Sequence, residues 1–185
     1  MTEHPVLETE RLVLRLITFE DIPDIQRLAG DKDVASQTSD SEIPQPGAEE
    51  QWFKKRQEEF EKGEAVDFVI IHRDEGTLIG AIGLGAEYKQ DESMQLGYWI
   101  GKPYWNQGYC TEAARAVVKY GFDALHLNRI FARHFGSNPT SGRVMQKIGM
   151  KYEGTMRKAI QKWGRFEDMV CYAILKSEFN LQRDE

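Results

Sequence analysis

The residues best suited by type and spacing to do chemistry lie in one run, Tyr104-Trp105-Asn106-Gln107-Gly108-Tyr109-Cys110-Thr111-Glu112. An apolar stretch over residues 96–100 precedes it, and Ala114, Val117, Val118, Phe122 and Leu125 recur after it at helical spacing. Between the two, Gly101, Pro103, Asn106 and Gly108 supply turn chemistry. The spacing predicts a strand, a loop and a helix in succession. A helix rising from such a loop aims unpaired backbone N–H groups and the positive end of its dipole forward, which suits an anion and above all a phosphate. The run has neither the Gly-Lys-Ser/Thr ending of a P-loop nor the Gly-x-Gly-x-x-Gly of a dinucleotide turn.

Other chemical candidates are dispersed. Asn138-Pro139-Thr140-Ser141 places Asn at an N-cap and Pro at the first helical position, with a serine hydroxyl one turn in. Cys110 falls at the start of the predicted helix, where a thiol pKa would drop, although a small packing role is the plainer reading. Glu153 and Asp168 are carboxylates suited to a cationic amine, with pairing to Arg157 as the structural alternative. His4, His72, His126 and His134 show no ligand spacing, so no metal is expected, and His134 falls in a predicted strand where a plain packing or solvent position is the reading rather than catalysis.

These groups require a scaffold. Residues 11–17 alternate Leu12, Leu14 and Leu16 with Arg11 and Arg15, predicting a half-buried strand. Thr18 with Asp21 reads as a capping pair, and Ile22, Ile25 and Leu28 carry a helix to Gly30. Residues 31–47 read as a loop and residues 48–63 as a second helix bearing Trp52, Phe53 and Phe60. Strands follow over residues 65–73 and 77–86, and the polar residues 87–93 lead into the strand at Met94. After the central helix come a strand over 128–135, a helix over 138–148, and a hairpin of residues 151–160 and 165–176 around Trp163-Gly164. The order β-α-α-β-β-β-α-β-α-β-β predicts an α/β (α+β) fold of about seven strands and about four helices. At 185 residues without a linker, residues 1–185 read as a single domain.

Trp105-x-x-Gly108-x-Cys110 resembles the acyl-CoA loop of the GNAT acetyltransferases, Gln/Arg-x-x-Gly-x-Gly/Ala. Its tryptophan, and the longer run Tyr104-Trp105-x-x-Gly108-Tyr109-Cys110-Thr111-Glu112-Ala113, are similar to the ribosomal-protein N-terminal (Rim-like) branch. The opening Glu8-Thr9-Glu10-Arg11-Leu12-x-Leu14-Arg15 resembles the same branch, as do Tyr152-Glu153-Gly154-x-x-Arg157 and Gly164-x-x-x-Asp168-x-x-x-Tyr172. The element order matches that fold over essentially the whole chain.

The resemblance implies a GNAT fold, a mixed, mostly antiparallel sheet splayed in the middle, with acetyl-CoA as cosubstrate and no metal. It places the thioester against free edge groups of Tyr98, Trp99 and Ile100, and the pyrophosphate on Asn106, Gln107, Gly108, Tyr109, Cys110 and Thr111. Asn138 would touch the pantetheine arm. The tyrosine that many members carry seven residues after that asparagine is Met145 here, and the glutamate two residues before Gly97 is Gln95. Ser141, as an acid near the sulfur, and Gln95, holding a water or orienting an amine, are then the catalytic candidates, with Glu153 and Asp168 for the acceptor. An α-amine, of pKa about 7.7–8.0, needs less base assistance than a lysine near about 10.4. The missing base therefore favours a protein N-terminus, such as that of a ribosomal protein. A small-molecule amine (polyamine, amino acid or antibiotic) and a non-catalytic acyl-CoA-binding module are the alternatives.

Composition adds bounds. Twenty-four basic against 30 acidic residues give a net charge of -6, which speaks against a nucleic-acid surface and suits a cationic partner. Two cysteines without a framework point to a reducing compartment, and the absence of a signal region or membrane-length apolar stretch to the cytoplasm. Edge strands and the terminal hairpin would permit a homodimer.

Overall fold

The alternation near the chain's start forms β2 (Leu12–Leu16), whose Leu12 and Leu14 are fully buried on one face of the sheet. β1 (Val6–Glu8) pairs with it at the outer edge. Arg15 donates to both carboxylate oxygens of Asp21, at 2.7 and 2.8 Å, and Asp21 also accepts the Thr18 N–H at 2.8 Å. This ties the strand to α1 (Ile22–Ala29), which buries Ile22, Ile25, Leu28 and Ala29.

The computed structural model describes residues 4–38, 43–86 and 91–183. Among them α2 (Lys32–Ala35) and α3 (Glu49–Glu61) lead to β3 (Ala65–His72), β4 (Leu78–Ala86) and β5 (Ser93–Ile100). Then come α4 (Tyr109–Asp123), β6 (Arg129–Phe135), α5 (Pro139–Lys147), β7 (Lys151–Lys162), β8 (Arg165–Leu175) and α6 (Lys176–Arg183). The eight strands form one sheet, ordered β1-β2-β3-β4-β5-β6-β8-β7. α4 packs Ala113, Ala114, Val117, Val118 and Phe122 against Leu12, Phe68, Leu84, Leu96 and Ile130 on one face. α1 covers the other with Ile25 and Leu28 against Val69, Leu78 and Trp99.

All neighbouring strands are antiparallel except β5 and β6. That parallel pairing lasts only from Ser93↔Arg129 to Gln95↔Phe131, whereas β5 stays paired with β4 to Gly80↔Ile100. Beyond Gln95 the two central strands part, and β5 is left with an open edge, as the resemblance implied.

The element count exceeds the expected seven strands and four helices. β1 is three residues long, too short to show a period. α2 lies inside the expected loop and starts where Asp31 accepts the Asp33 N–H at 2.9 Å. α6 begins where Glu178 accepts the Leu175 N–H at 3.0 Å and the Lys151 ammonium at 2.6 Å. Residues 39–42 of the expected loop and residues 87–90 lie outside the described residues.

Candidate active site

The gap between β5 and β6 opens into a cleft of about 850 Å³ that runs from the start of α4 past α5 to α3 and the β7–β8 hairpin. Its walls include Gln95, Tyr98, Trp99, Ile100, Asn106, Gly108, Tyr109, Cys110, Thr111, Asn138 and Ser141. Eleven of the twelve residues expected to bind the cofactor or act in catalysis thus share one space; Gln107 lies outside the lining.

The floor is the open edge of β5. The Gly101 N–H bonds to Ile79 across β4 at 2.8 Å, so by strand alternation the polar groups of Trp99 face β4 and those of Tyr98 and Ile100 face the gap. Two corrections follow. The Trp99 backbone is not an edge group; its buried side chain lines the cleft instead. The Ile100 carbonyl is already taken, accepting the Trp105 indole N–H at 2.7 Å. Trp105 thereby folds the loop back onto the strand it leaves.

One end of the cleft is the first turn of α4. Gly108 caps it with φ of 84°, and Asn106 also has positive φ, so the chain turns sharply enough to present the N–H groups of Tyr109, Cys110 and Thr111 end-on. Cys110 is half-buried, and burial pushes its thiol up to about 12, outweighing the helix dipole expected to lower it. It packs against the core cluster beneath α4.

At the opposite wall, Asn138 accepts the Ser141 N–H at 3.2 Å and caps α5, with Pro139 at the first helical position. Ser141 Oγ donates to the Tyr98 hydroxyl at 3.0 Å, and Tyr98 donates to the Ser141 carbonyl at 2.9 Å. Burial holds the Tyr98 phenol far above its ordinary pKa, so it stays protonated. Met145, at the position of the absent tyrosine, is buried. The sequence implicates Tyr98 through its backbone alone; its hydroxyl carries no local signal because its partner Ser141 lies on another element.

On the far face stand Gln95, Trp99, Arg133, Arg56 and Asp67. Arg56 pairs with Asp67 at 3.1 Å. Asp67 is the sole carboxylate lining the cleft among the described residues. Glu153 and Asp168 are not brought there. Glu153 binds Arg129, at the start of β6, at 2.7 Å and not Arg157. Asp168 accepts the backbone N–H of Lys158 at 2.8 Å, closing the irregular part of the hairpin. His134 lines the cleft but is buried and stacked on Tyr172; its Nδ1 donates to the Phe135 carbonyl at 2.8 Å, and its Nε2 lies against Gly142. Among the described residues no three His, Cys, Asp or Glu side chains gather as a metal site, and no helix is long and apolar enough to cross a membrane.

A strand edge exposed by splaying, next to a bare helix N-terminus, can hold an extended amide-bearing arm and its diphosphate. Residues 11–151 match the family model described as acetyltransferase (GNAT) domain. The chain belongs to the GNAT acetyltransferase family. It is accordingly an N-acetyltransferase that uses acetyl-CoA. A relative named uncharacterized N-acetyltransferase YnaD, of Bacillus subtilis (strain 168), is 34% identical over 94% of this chain and 99% of its own. The crystal structure of a GNAT-family acetyltransferase from Bacillus anthracis superposes with a TM-score of 0.79 at 30% identity, covering 94% of this GNAT chain and 99% of the other. The [ribosomal protein uS5]-alanine N-acetyltransferase of Escherichia coli (strain K12) is 29% identical over 63% of this chain and 61% of its own.

Proposed function

We propose that this acetyltransferase modifies the N-terminal α-amine of a protein or peptide, such as a ribosomal protein. The observation that carries this reading is the cleft's single carboxylate among the described residues, Asp67, already paired with Arg56. A polyamine would call for several carboxylates to receive its charges, and a lysine for a strong base to deprotonate it. An α-amine, partly neutral at pH 7, needs neither. The uS5-alanine relative is named for an acceptor of this kind.

In this reading the acetyl-CoA diphosphate sits on the N–H groups of Tyr109, Cys110 and Thr111, and the pantetheine arm passes Asn138 along the open edge of β5. The amine lone pair attacks the thioester carbonyl from the Gln95 side. The Tyr98 N–H on the open edge supports the oxyanion, and the C–S bond breaks as the N–C bond forms. Ser141 Oγ hands a proton to the departing thiolate and is refilled from water, while Gln95 orients the amine or the water that takes its proton.

The test is release of free CoA thiol with a panel of peptides bearing free or blocked N-termini, polyamines and free amino acids. Release confined to free-N-terminal peptides supports the reading. Release with polyamines or amino acids alone replaces it with metabolite acetylation.

A further inference from the structure

Two sequence motifs far apart in the chain meet at one carboxylate. Glu112, in the first turn of α4, accepts from the Thr9 hydroxyl at 2.7 Å and the Arg11 N–H at 2.9 Å through Oε1. Its Oε2 accepts from Arg11 Nε and Nη2, both at 2.7 Å. Arg11 also donates through Nη1 to the Gln107 carbonyl at 3.0 Å, and its guanidinium lies over the Tyr109 ring, 4.5 Å from the centroid. A Cβ on Gly108 would stand 3.4 Å from Nη2, so the guanidinium flanks the phosphate-facing loop.

Two physical consequences follow. The peptide between Gln107 and Gly108 is planar and trans, so its carbonyl and its N–H point in opposite directions. With the carbonyl held on Arg11, the Gly108 N–H points away from the guanidinium, and Gly108 itself lines the cleft. Glu112, moreover, places a full negative charge in the turn that must receive an anion, and Arg11 in direct contact cancels it.

We propose that Arg11 is a positioning residue for acyl-CoA, aiming the Gly108 N–H at the diphosphate and neutralising Glu112. The proposal rests on the placement of acyl-CoA at the start of α4 given above. It makes the Arg11–Glu112 pair asymmetric: loss of Arg11 leaves a bare carboxylate at an anion site, whereas loss of the Glu112 charge does not.

Binding of CoA alone, followed by calorimetry without acceptor, tests it on the wild type, Arg11→Ala, Glu112→Gln, the double variant and Gly108→Asp, with melting curves as the check on folding. The expected result is about tenfold weaker binding for Arg11→Ala, a change within about threefold for Glu112→Gln, and recovery of at least about threefold in the double variant relative to Arg11→Ala. Arg11→Ala binding like the wild type, or a double variant no tighter than Arg11→Ala, overturns the proposal. Gly108→Asp separates the two levels of failure. If it abolishes binding while Arg11→Ala does not weaken it, the loop reading stands and the positioning role falls; if it binds CoA normally, the loop reading falls and takes the proposal with it.

Discussion

The Tyr98 hydroxyl donates to the Ser141 carbonyl at 2.9 Å and accepts the Ser141 Oγ–H at 3.0 Å, locking one wall of the cleft to its floor. Because burial keeps the phenol protonated, Tyr98 fixes Ser141 without competing as an acid. Tyr98→Phe removes one hydroxyl from a half-buried pair. We expect kcat to fall about threefold to tenfold with little change in KM for acetyl-CoA. In a Ser141→Ala background the same substitution should have no further effect on kcat; steady-state kinetics on the four proteins check it.

Gly108→Ala tests the loop. At φ of 84° an alanine is strained by about 1–2 kcal/mol, although its Cβ would only touch the Arg11 guanidinium at 3.4 Å. The expected outcome is a loss of about that size in chemical denaturation, together with a raised KM for acetyl-CoA.

Asp21 sets a pH dependence of stability. Burial by itself would raise its pKa, but the hydrogen bonds from Arg15 and Thr18 prevail and hold it below the usual carboxylate range. A depressed folded-state pKa gives stability that is complete above the unfolded value, near about 3.9, and is lost as pH falls through the folded one. Asp21→Asn should therefore cost about 1.5–3 kcal/mol at pH 7, with the gap to wild type closing as the pH drops below about 4 in denaturation curves.

Cys110 should be inert. With its thiol pushed up to about 12, alkylation in the native state at pH 8 should be far slower than in the unfolded chain. Cys110→Ala should keep kcat within about threefold, since no step uses the sulfur. Rapid native alkylation of Cys110, read by peptide mass spectrometry, would contradict this.

Most of the fold was legible because its signals are local. Leu12, Leu14 and Leu16 alternate, Ala114, Val117, Val118 and Phe122 recur at helical spacing, and Asn138-Pro139 announces a helix start. The shorter elements β1 and α2 show no period, and α6 is opened by Glu178, which meets Lys151 only after the hairpin has folded. Within the site, the Trp105–Gly108 loop and Asn138 were legible as local turn and cap chemistry. What the sequence hid were pairings across elements. Glu153 finds Arg129 rather than Arg157, Trp105 reaches back to Ile100, Arg11 meets Glu112, and Tyr98 meets Ser141. Residue type says that each of these side chains wants a partner; the splay of β5 from β6 and the seating of α4 and α5 on the sheet decide which one it gets.

The central claim, an α-amine acceptor, is tested most directly on a peptide that carries both a free N-terminus and an internal lysine. After incubation with acetyl-CoA, tandem mass spectrometry locates the acetyl group. The account predicts it on the α-amine, with no reaction once that amine is blocked. Acetylation of the lysine side chain with the N-terminus left free would contradict it.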